Sequence, residues 1–466
     1  MLSRTLLLGL GMLAASVLAA RVLADVRLEY AFAALFVFAV FLFVFVRVDA
    51  GLYLVLFSML LSPEFVVGGA AGLAEGRQVV LRLEDLLLIA VALSWLARMA
   101  LDKELGLVAR TPLNRWIALY VGSTLAATLL GYASGTVKTA AGFFYVLKYV
   151  EFFVVYYMTV NHLRDRPQAR RLVGAAFLTA ALVSVVAAAQ IPSGERVSAP
   201  FEGDTGEPNT LGGYLLLMMA LAGGVALETL RLRVRVAALA LLGLMGVPFL
   251  FTLSRASYLG VIPTVLVLAL LSSHRRLMGA ALLALVAAAP VVLPALAPTP
   301  VVRRVLYTFQ PERGQPTVRL GGVAFDPSTS ERLLAFRKAA EGWLERPLLG
   351  WGVTGFRFMD AQYARTLVET GAVGFLAFLG LLAAVLRGGL DAWRALADPE
   401  DRGLALGFVA ATVGLAVHAV GANTFIIVRI MEPFWFFAGV VMLLPHLHGA
   451  PAPAPALRPA PAWRAP

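Results

Sequence analysis

The sequence predicts an all-α membrane protein that crosses the bilayer many times. Hydrophobic residues make up 60% of the chain and charged residues only 14%, and the mean hydropathy is +0.82. A soluble domain of this composition would expose large apolar patches to water. Because a bilayer core about 30 Å thick needs roughly 20 apolar residues per helix, the chain holds about 12 to 14 transmembrane helices and one large loop.

The apolar segments divide the chain into four predicted parts. Residues 1–297 contain about 11 transmembrane helices with short loops, and residues 298–365 form a polar loop domain with short helices. Residues 366–448 contain about three further transmembrane helices, and residues 449–466 form a disordered tail rich in Pro and Ala. Residues 1–24 also fit a cleaved signal peptide, although we favour a first span. The predicted spans lie at about 1–24, 30–46, 51–67, 86–101, 114–131, 139–161, 171–190, 211–228, 234–252, 256–272, 278–297, 366–386, 403–420 and 425–445.

The basic residues predict how the chain is oriented. When the segments are threaded alternately across the membrane, one set of loops collects clusters of arginine and lysine, and the positive-inside rule makes those loops cytoplasmic. They carry Arg98, Lys103, Arg110, Arg115, Arg164, Arg166, Arg170, Arg171, Arg231, Arg233, Arg235, Arg275, Arg276, Arg387, Arg394 and Arg402. Both termini are then inside, and the large basic loop 298–365 faces outward. Because long loops are translocated regardless of charge, its arginines have no topological role and suggest a functional one.

Composition and motifs exclude several kinds of chemistry. The chain has no cysteine, which excludes disulfides, thiolate zinc sites and cysteine nucleophiles. Its formal charge of +11 is also typical of nucleic-acid binding, but cytoplasmic arginines explain it more simply in a membrane protein. The sequence contains no Asp-rich cluster, no His pair at metal-binding spacing, no Walker glycine loop and no Rossmann fingerprint. Metal dependence and nucleotide hydrolysis therefore have no support.

Arg255 interrupts a long run of apolar sequence between two predicted spans. An ionised arginine near membrane depth is unfavourable unless it is paired or lines a wet cavity, so it indicates a functional site. The alternative interpretation is that Arg255 lies in a tight turn at the outer surface and that its side chain extends to water. A planar guanidinium suits phosphate oxygens, so Arg255 predicts a phosphate-bearing ligand.

The outward loop before the span at 211–228 offers a second arginine, Arg196. The alternative for Arg196 is a solvated salt bridge with Glu195, Glu202 or Glu207. Asn209 is equally suited to a ligand contact and to a helix N-cap, and Pro208 is suited to the start of a helix.

The large loop contains a predicted amphipathic helix that begins near Ser330 and ends before Arg346-Pro347. Its apolar face, which suits the outer membrane surface, consists of Leu333, Phe336, Ala340 and Trp343. Asp360 lies near the next span and has two possible roles, accepting a proton from a hydroxyl or capping the following helix. Its position favours capping.

Two further polar features lie inside the predicted spans. Lys148 and Glu151 are three residues apart on one helical face and are expected to pair with each other. His418 is a lone histidine in an apolar helix. For both features a structural role inside the bundle is favoured.

These residues occur in an order that resembles the O-antigen ligase and O-antigen polymerase superfamily of bacterial membrane glycosyltransferases. Each motif is short, but their order across residues 190–445 and their common outward location are together specific. The resembling motifs are Arg196 with Pro208-Asn209, Leu253-Ser254-Arg255-Ala256 with Leu259-Gly260, Glu331-Arg332 ahead of Arg346-Pro347-Leu348-Leu349-Gly350-Trp351-Gly352, and Gln362-Tyr363 ahead of Glu369-Thr370-Gly371 and Gly374.

The resemblance implies a GT-C-like helical fold with a long periplasmic loop, in the bacterial inner membrane. It implies metal-independent transfer of a glycan, without a cofactor, from undecaprenyl diphosphate to an acceptor hydroxyl. The acceptor is the lipid A core oligosaccharide for a ligase and a second lipid-linked repeat unit for a polymerase. Arg196 and Arg255 match family arginines that hold the donor diphosphate, and Arg332 is a weaker match.

One departure from the family pattern favours a polymerase. Ligases carry a His-Asn pair just before the Tyr or Leu of this motif, whereas this chain has Asp360-Ala361-Gln362-Tyr363. The resemblance therefore leaves Asp360 as the stand-in for the imidazole base.

A flippase or transporter of lipid-linked oligosaccharides is the alternative function. It should show charged groups along a path through several spans, and often internal repeats. A membrane scaffold would leave Arg255 unexplained.

Overall fold

The computed structural model describes residues 28–62, 64–66, 80–101, 111–200, 206–280, 283–284, 287, 298–312, 314–315 and 317–447. The structure is predominantly helical. Its helices are α1 (Leu28–Val46), α2 (Val48–Leu61), α3 (Leu83–Leu101), α4 (Asn114–Ala133), α5 (Ala141–His162), α6 (Arg166–Ala188), α7 (Pro208–Glu228), α8 (Leu232–Phe251), α9 (Arg255–Leu271), α10 (Thr299–Tyr307), α11 (Pro327–Glu345), α12 (Gln362–Ala395), α13 (Pro399–His418) and α14 (Val428–Leu443). Two short antiparallel hairpins pair β1 (Glu64–Val66) with β2 (Val80–Arg82) and β3 (Arg319–Leu320) with β4 (Val323–Ala324).

The helices confirm an all-α polytopic membrane protein. Seven described helices, α4 to α8, α12 and α14, are long and apolar enough to cross a membrane, and α1, α2 and α9 contain shorter apolar stretches. Most predicted spans coincide with a helix, but the span predicted at 51–67 is too long, because α2 ends at Leu61 and residues 64–66 pair with β2. The predicted segment 1–24, most of 278–297 and the tail 449–466 lie outside the described residues.

The loops of the bundle gather at two opposite ends. At one end, Arg170 on α6 pairs with Asp398, just before α13, at 2.8 Å, and we call this the short-loop end. At the other end, the backbone N–H of Gln362 at the start of α12 donates to the carbonyl of Ala419 after α13 at 3.2 Å. Residues 298–361 lie at this second end, which we call the long-segment end. Two of the short loops predicted to share one side of the membrane, the one with Arg170 and the one before α13, thus lie together.

Close packing of α7 against α13 forms the centre of the bundle. A Cβ atom at Gly224 on α7 would lie 2.2 Å from the carbonyl oxygen of Gly403, and one at Gly407 on α13 would lie 2.5 Å from the carbonyl oxygen of Ala220. Small residues therefore let the two backbones touch, as is common between membrane helices. Almost all of α7 is buried as a result, and its first turn lies beside the end of α13.

A buried cluster of charged residues joins α3, α5 and α14. Lys148 pairs with Glu151 at 3.0 Å, as predicted, and also donates to Asp85 on α3. Arg429, at the start of α14, donates to the carbonyl of Pro200 at 2.7 Å. Arg429 thereby links α14 to the loop between α6 and α7.

The segment 298–361 folds into α10, the β3–β4 hairpin and α11. The predicted end of α11 is confirmed at Glu345, although the helix begins three residues before the predicted start, at Pro327. Asp326 is its N-cap and accepts the backbone N–H of Thr329 at 3.3 Å, and Pro327 occupies the first helical position, where its missing N–H costs no hydrogen bond.

The packing of α11 differs from the predicted amphipathic face. Its buried apolar positions are Ala339 and Gly342, and Ala339 packs against a cluster that includes Met359 and Val368. Small residues allow α11 to approach α12 closely, whereas Phe336, on the predicted face, is exposed. The expectation that this face lies along the membrane gains no support from these contacts.

An interruption of α12 positions the start of that helix. Gly371 has a φ of 62° and a ψ of −169°, and residues 347–352 fill the break. The Trp351 N–H donates to the carbonyl of Val368 at 3.0 Å. A Cβ atom at Gly371 would lie 2.3 Å from the carbonyl oxygen of Leu348, so the position requires glycine for both its backbone angle and its space.

Candidate functional site

The site is built around the turn that joins α8 to α9. Leu253 in this turn has a φ of 50°, a left-handed conformation that is uncommon outside glycine and that often marks a functional site. Ser254 is the N-cap of α9 and accepts the N–H of Ser257. Arg255 is therefore the first residue of α9 and lies at the long-segment end of the bundle.

Arg255 forms a two-pronged ion pair with Asp326. Its Nη1 and Nη2 atoms each lie 2.9 Å from a carboxylate oxygen, and Nη1 also donates to the hydroxyl of Thr308 at 3.0 Å. The Asp326 side chain is fully buried, while that of Arg255 is 17% exposed. Although burial raises the pKa of Asp326, hydrogen bonds from Arg255 and Thr329 bring it below its ordinary value. The ion pair thus fastens the long segment to the start of α9.

Arg196 and Arg304 converge on the same turn from two other parts of the chain. Arg196 donates through Nε to the carbonyl of Thr252 at 3.0 Å and through Nη2 to that of Leu253 at 3.5 Å. Arg304, on α10, donates through Nε to the Leu253 carbonyl at 3.4 Å. The side chain of Arg196 therefore contacts backbone carbonyls. Of the three glutamates in the alternative salt bridge, Glu195, Glu202 and Glu207, Glu202 lies outside the described residues.

The guanidinium groups repel one another. Burial, followed by the charges of Arg304, Arg255 and Arg332, lowers the pKa of Arg196 to about 10. Burial and the charges of Arg255 and Arg332 also lower the pKa of Arg304, although Asp326 partly offsets this. Four positive groups at one end of a membrane bundle thus create an electropositive region that suits an anionic ligand.

Arg332 and Asp360 form the exposed edge of this region. Arg332 Nη2 lies 3.0 Å from Asp360 Oδ2, and Arg332 Nη1 donates to the hydroxyl of Ser328 at 2.6 Å. Asn423 Nδ2 donates to Asp360 Oδ1 at 3.4 Å. The Asp360 carboxylate is 44% exposed, so it is accessible from the long-segment end.

The prediction that Asp360 caps the next helix is wrong. The N-cap of α12 is Ala361, which makes no side-chain capping hydrogen bond. The side chain of Asp360 is instead held by Arg332 and Asn423, so its position needs an explanation other than helix capping.

A chain of buried polar side chains runs beneath the turn. Thr424 Oγ1 lies 2.6 Å from His418 Nδ1, and His418 Nε2 lies 3.1 Å from Ser257 Oγ. The hydroxyl of Ser257 donates to Ser254 Oγ at 2.8 Å, and that of Ser254 donates to Asn209 Oδ1 at 2.8 Å. Each ring nitrogen of His418 therefore has a hydroxyl group as its partner. His418 is fully buried and links the end of α13 to the first turn of α9.

The same chain determines how Asn209 is oriented. Pro208 is the first residue of α7, as predicted, and the N-cap is Glu207, so Asn209 lies inside the first turn and is not the predicted N-cap. Because its Oδ1 atom accepts from Ser254, its amide nitrogen is the part of the side chain left to donate elsewhere.

Two members of this region were missed by the sequence-based predictions. Arg304 lies in the basic long segment, and the sequence does not distinguish it from the neighbouring arginines there. Asp326 precedes Pro327 and stands at N-cap spacing before Thr329, a readable helix-start signal. The sequence does not reveal that this cap also pairs with Arg255.

The described residues offer no group of three or more His, Asp or Glu side chains arranged to hold a metal ion. Two of the described arginines of this region have a carboxylate partner, Asp326 for Arg255 and Asp360 for Arg332.

Comparison with known families identifies the central part of the chain. Residues 238–379 match the family model described as O-antigen ligase, and no curated protein matches the chain. The matched region, less than half of the chain, includes Arg255, Arg304, Arg332 and Asp360, whereas Arg196 lies before it. The match confirms, for the central part of this multi-pass membrane protein, the resemblance that the motifs indicated.

Proposed function

We propose that the chain transfers a glycan from an undecaprenyl-diphosphate-linked donor to a hydroxyl group of an acceptor, at the periplasmic face of the bacterial inner membrane. The observation that carries the proposal is the convergence of Arg196, Arg255 and Arg304 on one turn, next to the accessible Arg332–Asp360 pair. Planar guanidinium groups bind phosphate oxygens in two-pronged geometry, and a membrane-embedded carrier brings its diphosphate to the bundle surface.

In the proposed reaction, the acceptor oxygen forms a bond to the anomeric carbon of the donor sugar, and the bond from that carbon to the diphosphate oxygen breaks. The electron pair of the broken bond leaves with undecaprenyl diphosphate. Fixed guanidinium groups stabilise this developing negative charge more strongly than water does, because they need no reorganisation. The arginines supply the positive charge, so the proposed reaction requires neither a metal nor another cofactor.

Asp360 is the proposed acceptor of the proton that the attacking hydroxyl loses. Its carboxylate is accessible, and hydrogen bonds from Arg332 and Asn423 hold it in one orientation. A carboxylate in this position can take the proton of the attacking hydroxyl, but it adds no positive charge beside the leaving diphosphate. We therefore assign the larger share of the rate enhancement to the arginines.

The distribution of arginine over the loops supports the proposed orientation. The short-loop end carries Arg170, Arg231 and Arg387 near the ends of apolar helices, which favours the cytoplasm for that end. The long-segment end then faces the periplasm, where lipid-linked glycans are accessible. A GT-C-like arrangement is part of the same proposal.

Polymerisation is the reaction we favour over ligation. Asp360 stands where the family resemblance implies a histidine base in ligases, and this supports an acceptor other than the lipid A core oligosaccharide, such as a second lipid-linked repeat unit. The family match does not favour a flippase, and the site arginines cluster at one end of the bundle instead of forming a path across it.

Reconstitution tests the proposal directly. The purified chain in liposomes, given a defined lipid-linked glycan, should form longer lipid-linked glycans without added metal. Supplying lipid A core as the sole acceptor distinguishes ligation from polymerisation. Movement of the donor across the bilayer with no new glycosidic bond would instead support a flippase and overturn the proposal.

A further inference from the structure

A cavity of about 840 Å³ lies near the short-loop end, between α4, α5, α12 and α14. Its volume is in the range of about 300 to 1,000 Å³ that small-molecule sites occupy. Much of the lining is apolar and comes from the short-loop halves of these helices, including Trp116, Tyr156, Val160, Ala383, Ala384 and Met442. None of the residues of the arginine region lines it, so the cavity is a separate feature of the bundle.

Two arginines line this cavity together with its apolar residues. Arg115, at the start of α4, and Arg387, on α12, are both exposed. Neither makes an ion pair or a side-chain hydrogen bond within the described part of the chain. Arg115 lies over the ring of its neighbour Trp116, 5.4 Å from the ring centroid, a contact that leaves its N–H groups free to donate.

The acidic residue that lines the same cavity does not cancel this charge. Asp391 lies one turn beyond Arg387 on α12 but pairs with Arg394 at 3.6 Å. The cavity therefore combines an apolar interior with two positive groups at its exposed part. A basic pocket between transmembrane helices is the arrangement that recognises anionic lipid headgroups.

We propose that this cavity binds one anionic phospholipid from the membrane leaflet that borders the short-loop end. An acyl chain would occupy the apolar lining, and Arg115 and Arg387 would donate to the phosphodiester. A guanidinium binds such oxygens in forked geometry. The inference is independent of the proposed function, because it concerns different residues at the opposite end of the bundle.

The test compares phosphatidylglycerol with phosphatidylcholine, which share acyl chains but differ in net charge. Delipidated full-length protein is titrated with each lipid in neutral detergent, and bound lipid is counted by native mass spectrometry. We expect tighter binding of phosphatidylglycerol, and Arg115→Gln combined with Arg387→Gln should weaken it about 30-fold, as expected for two arginines near an anionic headgroup.

A matched control removes the same charge at the same end of the bundle. Arg275 and Arg276 are exposed and do not line the cavity, so Arg275→Gln combined with Arg276→Gln should leave lipid binding unchanged. A third variant, Ala383→Phe, fills the apolar part and should weaken both lipids equally. Melting temperatures measured in lipid-free detergent show whether each variant is folded.

Three results would overturn the proposal. Equal affinity of the unaltered protein for the two lipids would show that the cavity does not recognise the charge of the headgroup. Unchanged phosphatidylglycerol binding by a folded Arg115→Gln, Arg387→Gln variant would show that these two residues do not contact the lipid. Binding that develops only after deletion of residues 448–466 would show that the tail of the chain, and not a lipid, occupies the cavity.

Discussion

Arg196 and Arg304 donate to the same atom, the carbonyl oxygen of Leu253, over 3.5 Å and 3.4 Å. Burial, followed by the charges of Arg304, Arg255 and Arg332, lowers the pKa of Arg196, and burial with the charges of Arg255 and Arg332 lowers that of Arg304. An anion bound between them would relieve the repulsion. The left-handed conformation of Leu253 directs this carbonyl to both side chains and is therefore part of the site.

Replacing Arg304 with glutamine should lower the activity without lowering the stability of the protein. The change removes one charge-assisted hydrogen bond to the proposed diphosphate, worth about 1.5 to 3 kcal/mol, so kcat/KM for the donor should fall about 10- to 100-fold. Because the change also relieves repulsion, the melting temperature of the ligand-free protein should not fall. Arg303→Gln, at the exposed neighbour, is the control and should retain activity. A large loss of stability in Arg304→Gln would show that Arg304 has a structural role instead.

The fall of kcat/KM at alkaline pH should reflect the deprotonation of Arg196. Burial and the neighbouring arginines lower its pKa to about 10 from the ordinary 12.5, so kcat/KM for the donor should fall as the pH rises through about 10 and this cation is lost. The folded pKa lies below the unfolded one, so between these two values the folded state gains stability from this group as the pH rises. Activity should thus be lost while the protein remains folded, as circular dichroism can verify. Arg196→Gln should be weakly active at all pH values and lack this fall.

Asp360→Asn tests the proposed base. The substitution preserves shape and a hydrogen-bond acceptor for Arg332 but cannot take a proton, so kcat should fall by about 10² to 10⁴ with little change in melting temperature. Asp391→Asn, an exposed carboxylate at the short-loop end, serves as the matched control. Near-normal turnover by Asp360→Asn would assign the proton to water and leave Asp360 as an orienting partner of Arg332.

Arg255 should be as important for stability as for function. Arg255→Ala would strand the buried Asp326 carboxylate, and breaking a buried ion pair in this way costs about 3 to 5 kcal/mol. Arg255→Ala combined with Asp326→Ala should recover part of that stability and none of the activity. Thermal unfolding of the two variants measures the difference. If the single variant is as stable as the unaltered protein, the ion pair does not anchor the long segment.

Local sequence features predicted much of the architecture. Apolar runs of helical length coincide with α4 to α9 and α12 to α14, because membrane helices must satisfy their backbone hydrogen bonds internally. Arg255 and Arg196 were identifiable because arginine is unfavourable beside apolar segments unless it has a partner or a ligand. The predicted orientation of the loops placed both arginines on the outward side, and only the family resemblance implied that they share a site.

Features that depend on distant partners could not be predicted. Arg255 pairs with Asp326, which is 71 residues away in the sequence, and Arg304 donates to the carbonyl of Leu253, which is 51 residues away. The positions through which α11 packs on α12 were also not predicted, because the buried apolar ones are the small residues Ala339 and Gly342. Which residues of a helix make such contacts depends on the shape of the neighbouring helix, and hydrophobic periodicity gives no information about that shape.

The central claim is that the arginine region binds the diphosphate of a lipid carrier, and equilibrium binding of undecaprenyl diphosphate tests it most directly. The protein is placed in nanodiscs of neutral lipid, and Arg196→Gln combined with Arg304→Gln is compared with Arg337→Gln, an exposed arginine on α11. We predict that the double variant binds at least about 100-fold more weakly, from the loss of two charge-assisted contacts, while Arg337→Gln binds normally. Equal affinity of the folded double variant and the unaltered protein would contradict the account.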